Sequence, residues 1–327
     1  MLKRVLFLVG PTGSGKSKLA LALAQKINGE IVSCDSMQVY RAMDIGTAKP
    51  TTKEQKLVPH HLIDLISPRT ECSVFKHRQL TLKAMDQILA RDRTPVIVGG
   101  SGLYFKALVD GLTPQPGKQA KIREKLEKLA KLKGVKYLYS QLKKIDQKRA
   151  HVLHPNDKRR IIRALEILES PEHVQSDSGQ GTESLSSKGI EFSIFGLLRE
   201  RKELYDRIKR RVDQMFQAGW IDEVKRIKRV GLSKTAKAAI GYQEILEHLE
   251  GKRTLEEAKT EIKKRTRHLA KKQMTWFRKD QRIKWILVEG DRYQLAINQI
   301  IKAIPSPIKG EEMKGLCRKT ERFSLLF

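Results

Sequence analysis

Val5 to Val9 is an unbroken β-branched, aliphatic and aromatic run stopped by Gly10-Pro11. That pattern suits a strand buried on both faces of a parallel sheet. Leu and Ala then recur at helical spacing from Ser17 to Ile27, Asn28-Gly29 ends the helix, and Glu30 to Ser33 restarts an extended run. The result is a β-loop-α-β unit. Leu62 to Ile66 and Pro95 to Val98 predict two further strands, separated by a helix over Val74 to Arg91 with Ser73 as its N-cap. Gly99-Gly100-Ser101-Gly102 turns into a helix over Leu103 to Val109. After Pro114-Gln115-Pro116-Gly117 the pattern changes: Leu, Ile and Tyr fall at helical spacing with no strand-like run, as expected of a helical insertion. Residues 176 to 189 (SDSGQGTESLSSKG) are Ser/Gly-rich and predict a mobile loop. Alternating strand and helix patterns return with a strand over Ile190 to Leu198 and a helix over Lys202 to Ala218. They continue with a long helix from about Thr254 to Arg278, a strand over Ile283 to Val288 and a last helix ending at Ile304. The tail after Pro305 carries no usable pattern.

Charge sharpens this picture. The chain has 66 Lys plus Arg against 37 Asp plus Glu, a formal net charge of +29. The excess is concentrated: Lys118 to Arg163 holds sixteen Lys/Arg and four Asp/Glu, and Lys263 to Lys284 holds ten and one. Basic side chains placed on phosphates release counterions and strengthen binding without reading sequence, so a polyanionic partner is expected. Nucleic acid is the first candidate and an anionic membrane surface the alternative. Cys34, Cys72 and Cys317 are too far apart for a CxxC ligand pair, and a disulfide framework would need more of them in a shorter chain. The longest unbroken apolar stretch is six residues, Leu19 to Ala24, against about eighteen needed to span a bilayer. Met1-Leu2-Lys3-Arg4 followed by Val5 to Val9 leads straight into Gly10-Pro11 and reads as a first strand rather than a leader. A cytoplasmic monomer with no membrane partner is expected.

Gly10-Pro11-Thr12-Gly13-Ser14-Gly15-Lys16-Ser17 matches G-x-x-x-x-G-K-[ST], and it lies between a predicted strand and a predicted helix, the context this phosphate loop requires. Its glycines let successive backbone N–H groups converge on a phosphate at the positive end of the following helix. Lys16 adds a point charge and Ser17 a hydroxyl for Mg²⁺. The expected fold is therefore α/β, a P-loop NTPase-like parallel sheet flanked by helices with an inserted all-helical domain. Residues 1–116 and 190–304 form the core, 117–189 the basic insert and 305–327 the tail. Motor-type ATPases need an acid at the end of a later hydrophobic strand, but Val96-Ile97-Val98 ends in Gly99-Gly100. The acid available is Asp35, at the C-terminal edge of the second strand, where open parallel sheets bind ligands. The bland alternative is that Asp35 caps a turn. His60 and His61 are adjacent on an extended segment and so point to opposite faces, which argues against a metal pair.

Several segments, in order, resemble the bacterial tRNA dimethylallyltransferases, also called tRNA isopentenyltransferases. They are GPTGSGKS (10–17), DSMQVYRAMDIGTAKP (35–50), PHHLID (59–64), VGGSGLYFKALVDGL (98–112), HPNDKRRIIRALEI (154–167), ERKELYDRIKRRVDQM (200–215), AIGYQE (239–244) and TRHLAKKQMTWFR (266–278). The resemblance implies transfer of a dimethylallyl group from dimethylallyl diphosphate to N6 of adenosine 37 in tRNA, on a base flipped out of its stack. It implies Lys16, Asp35 and Arg207 as catalytic, with Asp35 as the base and Arg207 holding the diphosphate, and Mg²⁺ on Ser17. It further implies tRNA contacts at Asp35, Ser36, Met37 and Gln38, at Ser101 and Arg123, along Arg159, Arg160, Ile161, Ile162 and Arg163, and at Gly241 and Tyr242. A carboxamide at Gln38 suits adenine because it can meet N6 and N7 together. Ala238-Ala239 replace more polar residues expected before Gly241-Tyr242. The tail offers only Cys317, so the zinc finger of eukaryotic members is not expected.

Two other readings share the phosphate loop. A small-molecule or nucleotide kinase accounts for the fold and the missing motor-type acid, but not for so basic an insert. A non-catalytic nucleotide-dependent RNA-binding protein accounts for the charge but leaves Asp35 and Gln38 idle, and predicts tight ATP binding where the transferase predicts weak competition. Trp276 and Trp285 could stack on bases, with core packing as the commoner use of such aromatics.

Overall fold

β1 (Arg4–Val9) lies inside a six-stranded, all-parallel sheet of order β3-β2-β4-β1-β5-β6. The other strands are β2 (Gly29–Ser33), β3 (His60–His61), β4 (Thr94–Gly99), β5 (Glu191–Leu198) and β6 (Ile283–Leu287). The structure is a computed structural model that describes residues 4–112, 117, 119–170 and 182–304. Positions 176–181 of the Ser/Gly-rich stretch and the tail after residue 304 lie outside the described residues.

Side chains of a strand alternate between faces, and the buried run of β1 therefore feeds two cores. Val5, Phe7 and Val9 pack with Met85 and Ile88 of α3 (Val74–Leu89) and Phe105 and Leu108 of α4 (Gly102–Val109). Phe7 meets Phe105 edge-on at 5.5 Å between ring centres. Leu6 and Leu8 pack on the other face with Leu19 and Leu23 of α1 (Lys16–Lys26) and Ile297 and Ile300 of α13 (Tyr293–Ala303). Removing a large side chain such as Phe7 from this environment costs about 3–5 kcal/mol. A third cluster joins Val39, Tyr40 and Met43 to Trp220 and Val224 of α10 (Trp220–Val230) and to Tyr242 and Ile245 of α11 (Tyr242–Leu249).

The remaining helices of this unit are α2 (Thr52–Leu57), α9 (Arg201–Gln217) and α12 (Leu255–Phe277). The Ser73 hydroxyl caps α3 by accepting the Lys76 N–H at 3.1 Å, as its position predicted. The expected strand over Leu62 to Ile66 does not form. Leu62 and Asp64 take left-handed φ values of 62° and 56°, which break an extended run, and Ile66 makes only an isolated bridge to Tyr40. On the long helix α12, Ala258, Ile262, Ala270 and Phe277 are buried, whereas Leu269 is 38% exposed. Trp285 lies against Gly196 of the neighbouring strand, and Trp276 against Gly102, Phe105 and Phe277, so both serve packing.

A second compact unit spans Gly111–Glu183, the first comprising residues before and after it. Its ends lie earlier than the expected 117–189 for a local reason. The Leu112 N–H donates to the Thr182 hydroxyl at 2.5 Å and the Thr182 N–H to the Leu112 carbonyl at 2.8 Å. Within the first unit the Leu185 N–H donates to the Val109 carbonyl at 3.0 Å. The second unit holds α5 (Ala120–Lys133), α6 (Val135–Ile145), α7 (Gln147–His151) and α8 (Lys158–Leu168) around Leu126, Leu138, Leu142, Ile161, Ile162 and Leu165. The buried Glu166 carboxylate ties it together, accepting the Gln119 N–H and pairing with Arg123 and Arg163 at 2.9 and 3.1 Å.

Candidate active site at the phosphate loop

Parallel strands deliver their following loops to one edge, and a break in strand order opens a crevice there. In this sheet the phosphate loop leaves β1, the Asp35 to Gln38 turn leaves β2, Ser101 follows β4 and Arg199 follows β5. β1 pairs with β4 on one side and β5 on the other, so the phosphate loop sits at the break.

Gly13 and Gly15 hold φ values of 82° and 94°, a conformation other residues rarely take. A Cβ on Gly15 would also collide with the Tyr293 hydroxyl. Gly15 is the N-cap of α1 with no side-chain cap, and the first turn carries no acid, so its amides are left for a ligand. The Ser14 hydroxyl is buried and, among the described residues, has no hydrogen-bond partner. An anionic oxygen on the loop would satisfy both. Lys16 donates to the Pro11 carbonyl at 2.7 Å. Burial pulls its pKa down to about 7, the neighbouring Arg211 pulls the same way, and Asp35 opposes them. Lys16 is thus a cation short of an anion.

Arg211 is the residue that sequence reasoning passed over. It stands one helical turn after Arg207 in α9 and donates to the Thr12 hydroxyl at 3.3 Å. Burial lowers its pKa while Asp35 holds it up, so Lys16, Arg211 and Asp35 share one electrostatic environment. Arg207, expected to hold the diphosphate, is already engaged: it donates to the Gly13 carbonyl, to Asp291 and to the Tyr293 hydroxyl at 3.0–3.2 Å. Its geometry braces the loop from outside. Arg199 does so from beneath, donating to the Ser14 carbonyl at 2.7 Å and to the Gly290 carbonyl at 2.6 Å. The i, i+4 spacing of Arg207 and Arg211 was the available signal for a shared helix face.

Asp35 does cap a turn, accepting the Met37 N–H on Oδ1 at 2.8 Å. A carboxylate has further lone pairs, so the cap and a role as base are compatible. Ser36 and Met37 complete that turn. Gln38 is fixed at both ends of its amide: Oε1 accepts the Ser33 hydroxyl at 2.8 Å, and Nε2 donates to the Thr47 and Ala48 carbonyls at 3.3 and 3.1 Å. The expected use of both ends on adenine is narrowed, because the donors are spent on the loop and Oε1 keeps one lone pair. Ser17 and Gln38 line the same cavity of about 30 Å³, space for a water or two.

Among the described residues there is no cluster of three His, Cys, Asp or Glu that could hold a metal. His61 is bonded to Glu30 at 2.6 Å and His60 to the Val58 carbonyl at 2.7 Å, both in structural roles. Mg²⁺ needs few protein ligands where phosphate oxygens supply the rest, so a single hydroxyl at Ser17 beside the loop fits it.

Of the expected RNA-contacting residues, Ser101 is the N-cap of α4 and its hydroxyl makes no capping bond. Gly241 is the N-cap of α11, and its N–H donates to Glu244 at 2.9 Å. Tyr242 is fully buried with its hydroxyl on Glu223, which removes it from direct contact. In the helical unit Arg159 and Arg160 are exposed, whereas Ile161 and Ile162 are core residues and Arg123 and Arg163 pair with Glu166. The exposed positions of that stretch are Arg159 and Arg160. On α12 and just beyond its end, His268, Lys271, Lys272, Thr275, Trp276 and Lys279 line a groove of about 420 Å³, a second basic surface. No helix among the described residues is long and apolar enough to cross a membrane.

The chain matches the family model for IPP transferase over residues 38–280. It is 43% identical over 301 residues to the tRNA dimethylallyltransferase of Halothermothrix orenii, covering 91% of this chain and 92% of that one. It is 45% identical to that of Carboxydothermus hydrogenoformans, covering 87% and 92%. Among solved structures, it superposes on the full-length tRNA isopentenylpyrophosphate transferase of Bacillus halodurans with a TM-score of 0.66 at 40% identity, covering 92% of this chain and 96% of that one. A eukaryotic dimethylallyltransferase acting on tRNA gives a TM-score of 0.74 at 27% identity, covering 98% and 85%.

Proposed function

The chain belongs to the IPP transferase family, and from that premise we propose that it transfers a dimethylallyl group from dimethylallyl diphosphate to N6 of adenosine 37 in tRNA, releasing diphosphate. The observation that carries the assignment of roles is the shared environment of Lys16, Arg211 and Asp35 at the phosphate loop.

The allylic C–O bond breaks and a C–N bond to the exocyclic amine forms, while negative charge grows on the leaving diphosphate. The loop amides, Lys16 and Arg211 are preorganised for that charge, which is where electrostatic catalysis acts most strongly. Asp35 takes the proton that N6 loses as it becomes bonded to carbon. Gln38 offers the remaining lone pair of Oε1 to the second N6 hydrogen. Ser17 would hold Mg²⁺, which supplies charge neutralisation on the diphosphate. Arg207 and Arg199 position the loop. ATP, which such loops often bind, is expected to compete weakly. The exposed Arg159 and Arg160 and the α12 groove supply phosphate contacts to the tRNA, and we place the enzyme in the cytoplasm as a monomer.

A kinase would not need the tRNA-binding charge, and neither it nor a non-catalytic RNA-binding protein is what the related chains are named for. The deciding experiment incubates the protein with Mg²⁺, radiolabelled dimethylallyl diphosphate and unmodified tRNA, then digests the RNA. Label is expected on N6 of adenosine, and Asp35→Ala should lower kcat by about 10²–10⁴ with tRNA affinity retained. Normal turnover in Asp35→Ala would reassign the base.

A further inference from the structure

Glu223, in the first turn of α10, is 1% exposed. Oε2 accepts the main-chain N–H groups of Asp44 and Ile45 at 2.8 and 2.6 Å. Oε1 accepts the Gly46 N–H at 3.1 Å and the Tyr242 hydroxyl at 2.7 Å. Among the described residues no cation pairs with it. A carboxylate taken out of water needs hydrogen bonds in its place, and here three of the four come from consecutive amides of one loop.

That loop runs between two alanines in the left-handed region, Ala42 at φ 60° and Ala48 at φ 47°. Non-glycine residues persist there only when their surroundings over-determine the backbone. Its middle is pressed onto the α10–α11 platform: a Cβ on Gly46 would collide with Trp220 Nε1 and lie 2.6 Å from the Tyr242 ring. Its far end supplies the Thr47 and Ala48 carbonyls that receive both contacts from Gln38 Nε2. Two acceptors at that end of the amide fix which end of Gln38 is oxygen, since a flipped amide would set oxygen against oxygen.

We propose that Glu223 is a positioning residue for the acceptor base. By gripping the 44–46 amides it sets the Thr47 and Ala48 carbonyls, which set the Gln38 amide, so that Oε1 meets an adenine amine and not a group that only accepts. Purine selectivity is thus fixed at a buried carboxylate that never touches RNA. The inference rests on the proposed placement of Gln38 against the adenine.

The test is a double-mutant cycle on the full-length protein, following single-turnover prenyl transfer at saturating tRNA and dimethylallyl diphosphate. Glu223→Gln should slow transfer about tenfold in the wild-type background and less than about twofold in Gln38→Ala, with the Kd for both substrates unchanged. Equal slowing in the two backgrounds overturns the proposal, because the carboxylate then acts through stability alone. Tyr242→Phe removes one of the four donors and keeps the ring. Its smaller loss must also vanish in Gln38→Ala, and if Glu223→Gln folds poorly this milder cycle decides in the same way. If wild type transfers the prenyl group and Gln38→Ala is equally fast, Gln38 does not read the base and the proposal falls while the reaction stands. If wild type leaves no label on adenosine, the reaction itself fails and the proposal falls with it.

Discussion

Gln273, within the basic helix α12, accepts the Thr12 N–H of the phosphate loop at 2.8 Å, and its Nε2 donates to the Gly100 carbonyl at 3.0 Å. One side chain thus joins the loop after β1 to the loop after β4 from a helix whose neighbouring positions carry the basic groove. Removing a net hydrogen bond costs about 0.5–1.5 kcal/mol. Gln273→Ala should therefore weaken dimethylallyl diphosphate binding by about 2- to 10-fold, measurable by calorimetric titration without tRNA present. An unchanged Kd would mean that the loop holds its shape without α12.

Arg211 and Arg207 are predicted to separate cleanly. Arg211→Ala should lower kcat more than Arg207→Ala, by about tenfold or more, since only Arg211 shares the environment of Lys16 and Asp35. Arg207→Ala should act chiefly on stability and on KM for the diphosphate, through the Gly13 carbonyl it holds. Steady-state kinetics of both variants checks the order.

Lys16 gives a pH prediction. In the free loop its pKa is about 7, so above that pH it is largely neutral, and a bound diphosphate restores the charge. Binding at pH 8 should take up a proton, and affinity should fall by up to about tenfold per unit as pH rises above 7. Titrations at pH 8 in buffers of different ionisation enthalpy read the uptake directly, and Lys16→Met should abolish it.

In the helical unit neighbouring residues should respond differently. Replacing Arg159 and Arg160 with Gln should weaken tRNA binding and reduce the slope of log K against log salt by about 0.7–0.9 for each phosphate that is no longer neutralised. Ile161→Ala should instead destabilise by about 2–5 kcal/mol, as a core truncation does. Filter binding across a salt series, alongside thermal melts, distinguishes them.

These residues also show where sequence was informative. β1, α1 and the phosphate loop were legible because a short apolar run, a glycine pattern and helical spacing all agree locally. The insert was legible from charge and the loss of strand-like runs. Ile161, Ile162 and Tyr242 were misplaced on the RNA-facing surface because a matching motif carries its buried framework along with its exposed positions. The strand expected over Leu62 to Ile66 was lost to two left-handed residues that an apolar run does not reveal. Arg211, Gln273 and Glu223 act on partners 19 to 261 positions away or on several elements at once, a distance at which periodicity says nothing.

The paired bonds of Leu112 and Thr182, followed on the core side by Val109 and Leu185, have a consequence for the chain as a polymer. The two ends of an excursion of 70 positions are brought together before it begins, so the closure entropy of that long loop falls on the excursion rather than on the sheet. A segment bounded in this way can lengthen, shorten or be exchanged with little effect on the strands at its root. The helical unit is then free to diverge in surface and length while the loops at the sheet edge stay fixed.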